Sequence, residues 1–186
     1  MIVRKAIPAD SQHIASLLYL AMEEIVFNFI GMKSPEKALD FLNSLVPQKG
    51  NQYSYENCWV VEYEHSIVGM ACVYNGADIR NLRKPIEATL ATMFGKTFDA
   101  EDETQADEYY IDCIGVNPSY QGRGIGSLIL NFLIDEYVHR QNHNLGLLVE
   151  TSNPGAKKLY LKTGFIQVGN KLLTGKSMCH LQYLAG

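Results

Sequence analysis

Residues 2–7 alternate between apolar and polar side chains with the two-residue period of a strand. Pro8 and Asp10 then open a helix in which Ile14, Leu17, Leu18 and Met22 recur at helical spacing, ending near Gly31. Ser34 with Pro35 starts a second helix, with Leu39, Leu42 and Leu45 turned inward, that stops before Pro47. Residues 58–63 and 66–74 are rich in Val, Ile, Tyr and Trp. Glu64 and His65 separate them, the pattern of a hairpin with Trp59 in its core. A helix is predicted around 86–94, followed by the acidic run 99–108. The last eighty residues read as strand 109–116, helix 124–141, strand 145–150, helix 153–163 and closing strands 165–168 and 177–183. In the 124–141 helix Ile125, Leu128, Ile129, Phe132 and Leu133 form one apolar stripe, which requires a sheet to lie against. The next helix carries its own boundary chemistry, with Asn153 as N-cap, Pro154 at the first helical position and Gly164 just past the end.

Composition narrows the class. The 186 residues are 47% apolar and 19% charged, which suits one compact domain with a real core. No run of about 20 consecutive apolar residues is expected to span a membrane, and residues 1–7 lack the pattern of a secretory signal, so the expected location is the cytoplasm. A net charge of −4 argues against nucleic acid or anionic lipid as partners and favours a cationic one. Cys58, Cys72, Cys113 and Cys179 are widely spaced in strand-like contexts and read as reduced core thiols. His139 and His143 have the i, i+4 spacing of a metal pair. They lack the glutamate of a metalloprotease helix and sit where imidazole complements a helix C-terminus, so no metal is expected.

The candidate chemistry lies between strand 109–116 and the helix after it. Gln121-Gly122-Arg123-Gly124-Ile125-Gly126-Ser127 is a glycine-rich turn feeding a helix N-terminus. Its backbone N–H groups can converge on an anion and a phosphate can approach closely, with Arg123 adding a full charge. The run is neither the GxGxxG of a dinucleotide fold nor a nucleotide triphosphate loop. It matches the Q/RxxGxG/A pyrophosphate motif of the GNAT acetyltransferases, after a strand ending in V-N-P-x-Y-Q. Residues 153–165, with Asn153, Ala156, Leu159-Tyr160 and Gly164-Phe165, resemble that family's second signature. The resemblance is specific over 109–168 and architectural before it.

The resemblance implies an α/β (α+β) GNAT fold: a mixed, mostly antiparallel sheet of about seven strands, splayed between strands 4 and 5 and flanked by helices. It implies a single domain over 1–186 with an insertion at about 75–107 between strands 3 and 4, longer than in a minimal member. Acetyl-CoA is the implied cosubstrate. Its pantetheine arm would pair with the open edge of strand 109–116 at Ile114, Gly115 and Val116, as an added strand satisfies unpaired backbone groups. Its pyrophosphate would meet Gln121 to Ser127. Asn153 is either a contact to the pantetheine arm or simply a helix cap. Tyr160 is the expected general acid, giving a proton to the departing thiolate; from a phenol near pKa ~10 to a thiol near ~8.5 this is uphill by roughly 2 kcal/mol unless the site shifts them. Candidate bases for the incoming amine are Glu150, Asp112 and Glu108. Asp112 interrupts an apolar strand and by alternation shares the face of Tyr110 and Ile114, whose backbone N–H is the expected oxyanion contact. Tyr19, Met22 and Glu23 are candidate walls of the acceptor pocket, with core packing as the alternative for the first two.

The expected activity is acetyl transfer to a primary amine by direct attack in a ternary complex, because no serine, cysteine or histidine arrangement suggests an acyl-enzyme. Cationic small molecules and peptide N-termini are both candidate acceptors. The alternative is a noncatalytic acyl-CoA-binding module of the same fold. The acidic run 99–108 reads either as a solvated lid or as a negative rim that draws in an amine. Monomer and homodimer both stay open.

Overall fold

The computed structural model describes residues 1–98, 101–173 and 175–186. Seven strands form one sheet in the order β1-β2-β3-β4-β5-β7-β6: β1 Ile2–Lys5, β2 Cys58–Tyr63, β3 Ser66–Asn75, β4 Glu108–Val116, β5 Asn144–Glu150, β6 Ile166–Leu173 and β7 Lys176–Tyr183. Neighbouring strands are antiparallel except β4 and β5, which pair in parallel over three rungs, Glu108 with Asn144, Tyr109 with Leu145 and Tyr110 with Gly146. There the two strands part.

Helices cover both faces. On one, α1 (Ser11–Ile30), α2 (Pro35–Leu45) and α3 (Ile79–Phe94) bury Ile14, Leu18, Phe41, Leu42, Ile86 and Leu90 against Val60, Met70, Tyr74 and Tyr110. On the other, α4 (Ile125–Leu133) and its π-helical continuation Ile134–Arg140 bury Ile129, Leu133 and Tyr137 against Val73, Ile111, Leu147 and Leu181. The helix α5 (Pro154–Lys162) lays Leu159 and Tyr160 on that second core. Asn153 caps α5 through Oδ1, which accepts from Ala156 N at 3.1 Å. Ser34 Oγ does the same for α2, accepting from Lys37 N.

Several expected boundaries move. β1 stops at Lys5, and β6 extends to Leu173 because it pairs with β7 as far as Lys176. α3 begins at Ile79 and passes through Pro85, since Ile79, Arg83, Ile86 and Leu90 form a buried stripe whose packing outweighs one missing N–H. The 124–141 helix is α-helical only to Leu133. Residues 8–30 are long and apolar enough to cross a membrane by length and composition, with a mean hydropathy of 1.4, although Asp10, Glu23 and Glu24 interrupt the apolar run; in this fold Ile14, Leu17, Leu18, Val26 and Ile30 of that stretch are core residues. α1 meets the sheet so closely at Gly115 that a Cβ there would stand 2.6 Å from the Leu17 carbonyl oxygen.

One departure matters for the site. β3 pairs Cys72 with Cys113 and Val73 with Ile111, which leaves Asp112 as an extra, bulged residue. The bulge shifts the side-chain parity of β4. Asp112 joins Tyr74 on the α1–α3 face, as alternation from Tyr110 predicts, but Ile114 turns to the α4 face, so the expectation that all three share one face fails at Ile114.

Candidate active site

The glycine turn is built for something the chain itself does not supply. Gly122 and Gly124 have φ of 75° and 80°, a left-handed conformation that strains any residue with a Cβ. Gly124 is the N-cap of α4 and offers no side chain to its first N–H groups. A Cβ at Gly122, Gly124 or Gly126 would meet no protein atom within 4 Å. The space above these residues is a concavity of about 230 Å³ that also touches Val116, Gln121, Ser127 and Leu159. Unoccluded amides at a helix N-terminus, with the guanidinium of Arg123 lying 4.9 Å over the Tyr120 ring beside them, fit a phosphate group. Gln121 reaches back to the Val116 carbonyl at 3.4 Å, tying the loop to the end of β4. Ile125 anchors the other end: a Cβ on Gly69 would come within 2.9 Å of it.

From this cradle the open edge of β4 runs back toward the fork. Ile114, Gly115 and Val116 pair with Ala71, Met70 and Gly69 of β3, and on the β5 side no strand partner follows Tyr110 among the described residues. Tyr160 of α5 packs there against Phe165, with ring centroids 6.0 Å apart. Burial, with a smaller contribution from the nearby Cys113, raises its phenol above the ordinary value.

The three candidate bases have separate environments. Glu108 is wedged into the fork, where Oε2 accepts from Gln182 Nε2 at 2.6 Å and contacts His180 Nε2 at 2.8 Å while Oε1 accepts from Gln105 N at 3.0 Å. Gly146 makes room for it, since a Cβ at that position would lie 1.8 Å from Glu108 Oε2. Glu150 is at the surface, paired with Lys176 at 2.6 Å and accepting from Ser152 Oγ; the ammonium of Lys176 holds its carboxyl below the usual range. Asp112 lines a cavity of about 110 Å³ under α1, accepting from Gln52 Nε2 at 2.7 Å and Tyr74 OH at 2.8 Å. Burial raises its carboxyl despite these donors.

The same cavity holds residues that the sequence did not single out. Glu103 pairs with Arg83 of α3 at 2.9 Å and accepts from the Gln52 Nε2 that also serves Asp112. Burial first, and Asp112 second, push the Glu103 carboxyl up to about 7, with Arg83 opposing. The available signal was an arginine on the otherwise apolar stripe of α3, which demands a buried anion. The apolar wall is Ala21, Met22, Ile25 and Phe29 of α1, and the helix is kinked here, with Met22 at φ −139° and ψ 32°. Met22 lines this cavity, while Tyr19 hydrogen-bonds Glu23 one turn along the helix. Within the acidic run, Asp99 and Ala100 lie outside the described residues. Asp102 pairs with Arg80 at the surface and stays exposed, Glu103 is engaged by Arg83, and Glu108 is buried in the sheet, so the solvated-lid reading does not hold for Glu103 and Glu108.

The four cysteines are free thiols. His139 and His143 pack edge-on or tilted against Tyr183 and Tyr109, and no metal-ligating group of three or more His, Cys, Asp or Glu occurs among the described residues. Trp59 is sandwiched between Lys5 and Phe132 and donates to Tyr137 OH at 3.0 Å.

Comparison with known proteins agrees with this geometry. The N-alpha-acetyltransferase RimI of Mycobacterium tuberculosis H37Rv is 44% identical over 62 residues, a match spanning 33% of this chain and 37% of that protein. This chain therefore aligns with little more than a third of that relative's length. Among solved structures, an acetyltransferase of 28% identity superposes over the whole of both chains with a TM-score of 0.84. An N-acetyltransferase from Staphylococcus aureus Mu50, 25% identical, does so over 98% of this chain and 100% of its own with a TM-score of 0.85. The family model for the acetyltransferase (GNAT) family matches residues 32–165, and the chain, with its forked sheet and glycine cradle, belongs to that family.

Proposed function

We propose that this protein is an acetyl-CoA-dependent N-acetyltransferase acting on a primary amine by direct attack within a ternary complex. The observation that carries the reading is the pairing of an unoccluded glycine cradle with a strand edge that opens beside a half-buried tyrosine. Acetyl-CoA supplies the activated acetyl group as a thioester.

The chain's own residues divide the work. Amides of Gln121 to Ser127 and the dipole of α4 hold the pyrophosphate, with Arg123 adding charge. Backbone groups of Ile114, Gly115 and Val116 pair with the pantetheine amides, and the N–H at Ile114 meets the negative charge that develops on the carbonyl oxygen. Asn153 Oδ1 is committed to capping α5, which leaves its amide nitrogen for the pantetheine arm. Tyr160 is protonated at neutral pH as any phenol is, and it gives that proton to the sulfur as the C–S bond breaks; burial raises its affinity for the proton, so the transfer is more uphill than from an unperturbed phenol and depends on positioning. The amine proton leaves to a carboxylate. Asp112 suits this role: it faces the α1 cavity and its affinity for a proton is raised, whereas Glu150 is neutralised by Lys176 and Glu108 has its oxygens engaged by three partners. In this reading 1–186 is a single domain, with the insertion at about 75–107 between β3 and β4 lying on the acceptor side.

The test is thiol release from acetyl-CoA with a panel of amines. Tyr160→Phe is expected to lower kcat by about 10²-fold or more with CoA affinity unchanged. Tight CoA binding without turnover on any amine would instead support a binding module.

A further inference from the structure

The cavity under α1 contains a buried phenol that the protein leaves without a partner. Tyr53 is only 1% exposed, and it lines the cavity wall together with Asp112 and Cys113. Its backbone N donates to Asn51 Oδ1 at 2.9 Å, but its hydroxyl makes no hydrogen bond among the described residues. Nor is that oxygen sealed inside protein, because it faces the cavity. Buried hydroxyls are ordinarily bonded, and one without a partner carries a desolvation cost that a bound molecule can relieve. Burial also holds the Tyr53 pKa well above its ordinary value, so the group works as a neutral hydroxyl and not as a base.

Asp112 faces the same cavity from β4. Gln52 Nε2 at 2.7 Å and Tyr74 OH at 2.8 Å both bind its Oδ1, and Oδ2 takes neither. One loop serves both groups, since Gln52 holds the carboxylate and the next residue is Tyr53. That loop is fixed without the hydroxyl: Gln52 N donates to the Leu82 carbonyl at 3.0 Å, and Asn51 Nδ2 donates to the Leu45 and Gln48 carbonyls, each at 2.9 Å. The facing wall, Ala21, Met22, Ile25 and Phe29 of α1, offers no polar side chain to compete for the phenol. On β4 the cavity reaches Asp112 and Cys113, immediately before Ile114, whose N–H meets the acetyl carbonyl in the reading above.

We infer that the Tyr53 hydroxyl is the second anchor of the attacking nitrogen, and that it makes the site select primary over secondary amines. The inference rests on the acetyltransferase reading, with Asp112 as base, and adds an acceptor-binding residue to it. An attacking amine must keep its lone pair for the acetyl carbon. A neutral primary amine then has two N–H groups to place. One is directed to Asp112 Oδ2, which takes the proton as the C–N bond forms and the C–S bond breaks, while Tyr160 supplies the proton on sulfur. The other donates to the Tyr53 oxygen, and with both placed the lone pair has a single direction. A secondary amine has one N–H, which the base requires. Its second carbon substituent therefore faces the phenol and leaves it unpaired, which is how a site built to bond a polar group rejects an analogue that lacks it.

Initial rates with acetyl-CoA test this for wild type and Tyr53→Phe, using n-butylamine, benzylamine, spermidine and an alanine-initiated hexapeptide, each against its N-methyl derivative. On the primary amine that wild type acetylates fastest, Tyr53→Phe is expected to lose about tenfold in kcat/KM with the KM for acetyl-CoA unchanged. The methylated partner, followed as a substrate or as a competitor, is expected to change less than about threefold, because it never bonded the phenol. A hydroxyl that served the fold would behave differently. Here its removal breaks no internal bond, so the Tm of Tyr53→Phe is expected to stay within about 2 °C of wild type or to rise. The inference is overturned unless the primary amine loses at least about threefold more than its methylated partner, and equally by a Tm that falls further than this. If no amine is acetylated, calorimetry of n-butylamine with CoA-loaded protein separates the two readings. Binding that weakens at least about threefold in Tyr53→Phe upholds the phenol contact while the enzymatic reading falls; a smaller change, or no binding, overturns both.

Discussion

Gly146→Ala is a small change with a large expected cost, because the fork between β4 and β5 is closed by Glu108 lying directly across that glycine. The added methyl would sit 1.8 Å from Oε2 and 2.3 Å from Cδ of Glu108. Neither contact is tolerable, and the carboxylate cannot swing to water because its side chain is wholly buried. Moving it breaks the bonds from Gln182 at 2.6 Å and His180 at 2.8 Å and weakens the one from Gln105 N at 3.0 Å. Hydrogen bonds to a charged group are worth about 1.5–3 kcal/mol each, and partial retention leaves a loss of roughly 4 kcal/mol. Replacing glycine in a strand returns about 0.5–1 kcal/mol by restricting the unfolded chain. The net expectation is about 3 kcal/mol of destabilisation, or roughly 6–12 °C in Tm for a chain of this size. Urea unfolding of Gly146→Ala, Glu108→Ala and the double variant measures it. The alanine at 146 should cost much less once Glu108 has been truncated, because the obstructing atoms are gone. A cost below about 1 kcal/mol, or an equal cost in both backgrounds, would refute the wedge.

Three further outcomes follow from the site and the core. Gly126→Ala, where the backbone is helical and the methyl meets no protein atom, is expected to keep or slightly raise the melting temperature and to weaken CoA binding about tenfold or more by calorimetry. Gly124→Val adds backbone strain at φ 80° to the same obstruction and should lower both; unchanged CoA affinity in folded protein would remove the phosphate assignment. Asp10 accepts from Arg4 at 2.7 and 3.0 Å and from Ile7 N at 2.9 Å, which depresses its pKa below the unfolded value. Its contribution is therefore present above about pH 4 and is lost as pH falls through the folded value. Asp10→Asn should cost about 1–3 kcal/mol at pH 7 in urea unfolding, a gap that narrows in acid; a gap independent of pH would show that the charge is not the cause.

What the sequence determined by itself is local. The cap at Asn153, the proline after it and Gly164 act within one helix, and the glycine turn before α4 is a run of adjacent residues whose missing Cβ atoms are written in the chain. The same holds for the apolar stripes of α1 and α4, whose period needs no partner to be recognised. Only the tertiary structure decided which carboxylate does what, because charge environment depends on residues far apart in the chain. Glu150 is answered by Lys176, Glu108 by His180 and Gln182, and Glu103 by Arg83 and Gln52, none of them visible as pairs by spacing. The bulge that turns Ile114 away, while Asp112 stays on the face that alternation from Tyr110 gives it, is a property of the β3–β4 register, where one extra residue reverses every later side chain. The passage of α3 through Pro85 was likewise settled by packing, since burying four residues along its face outweighs one hydrogen bond.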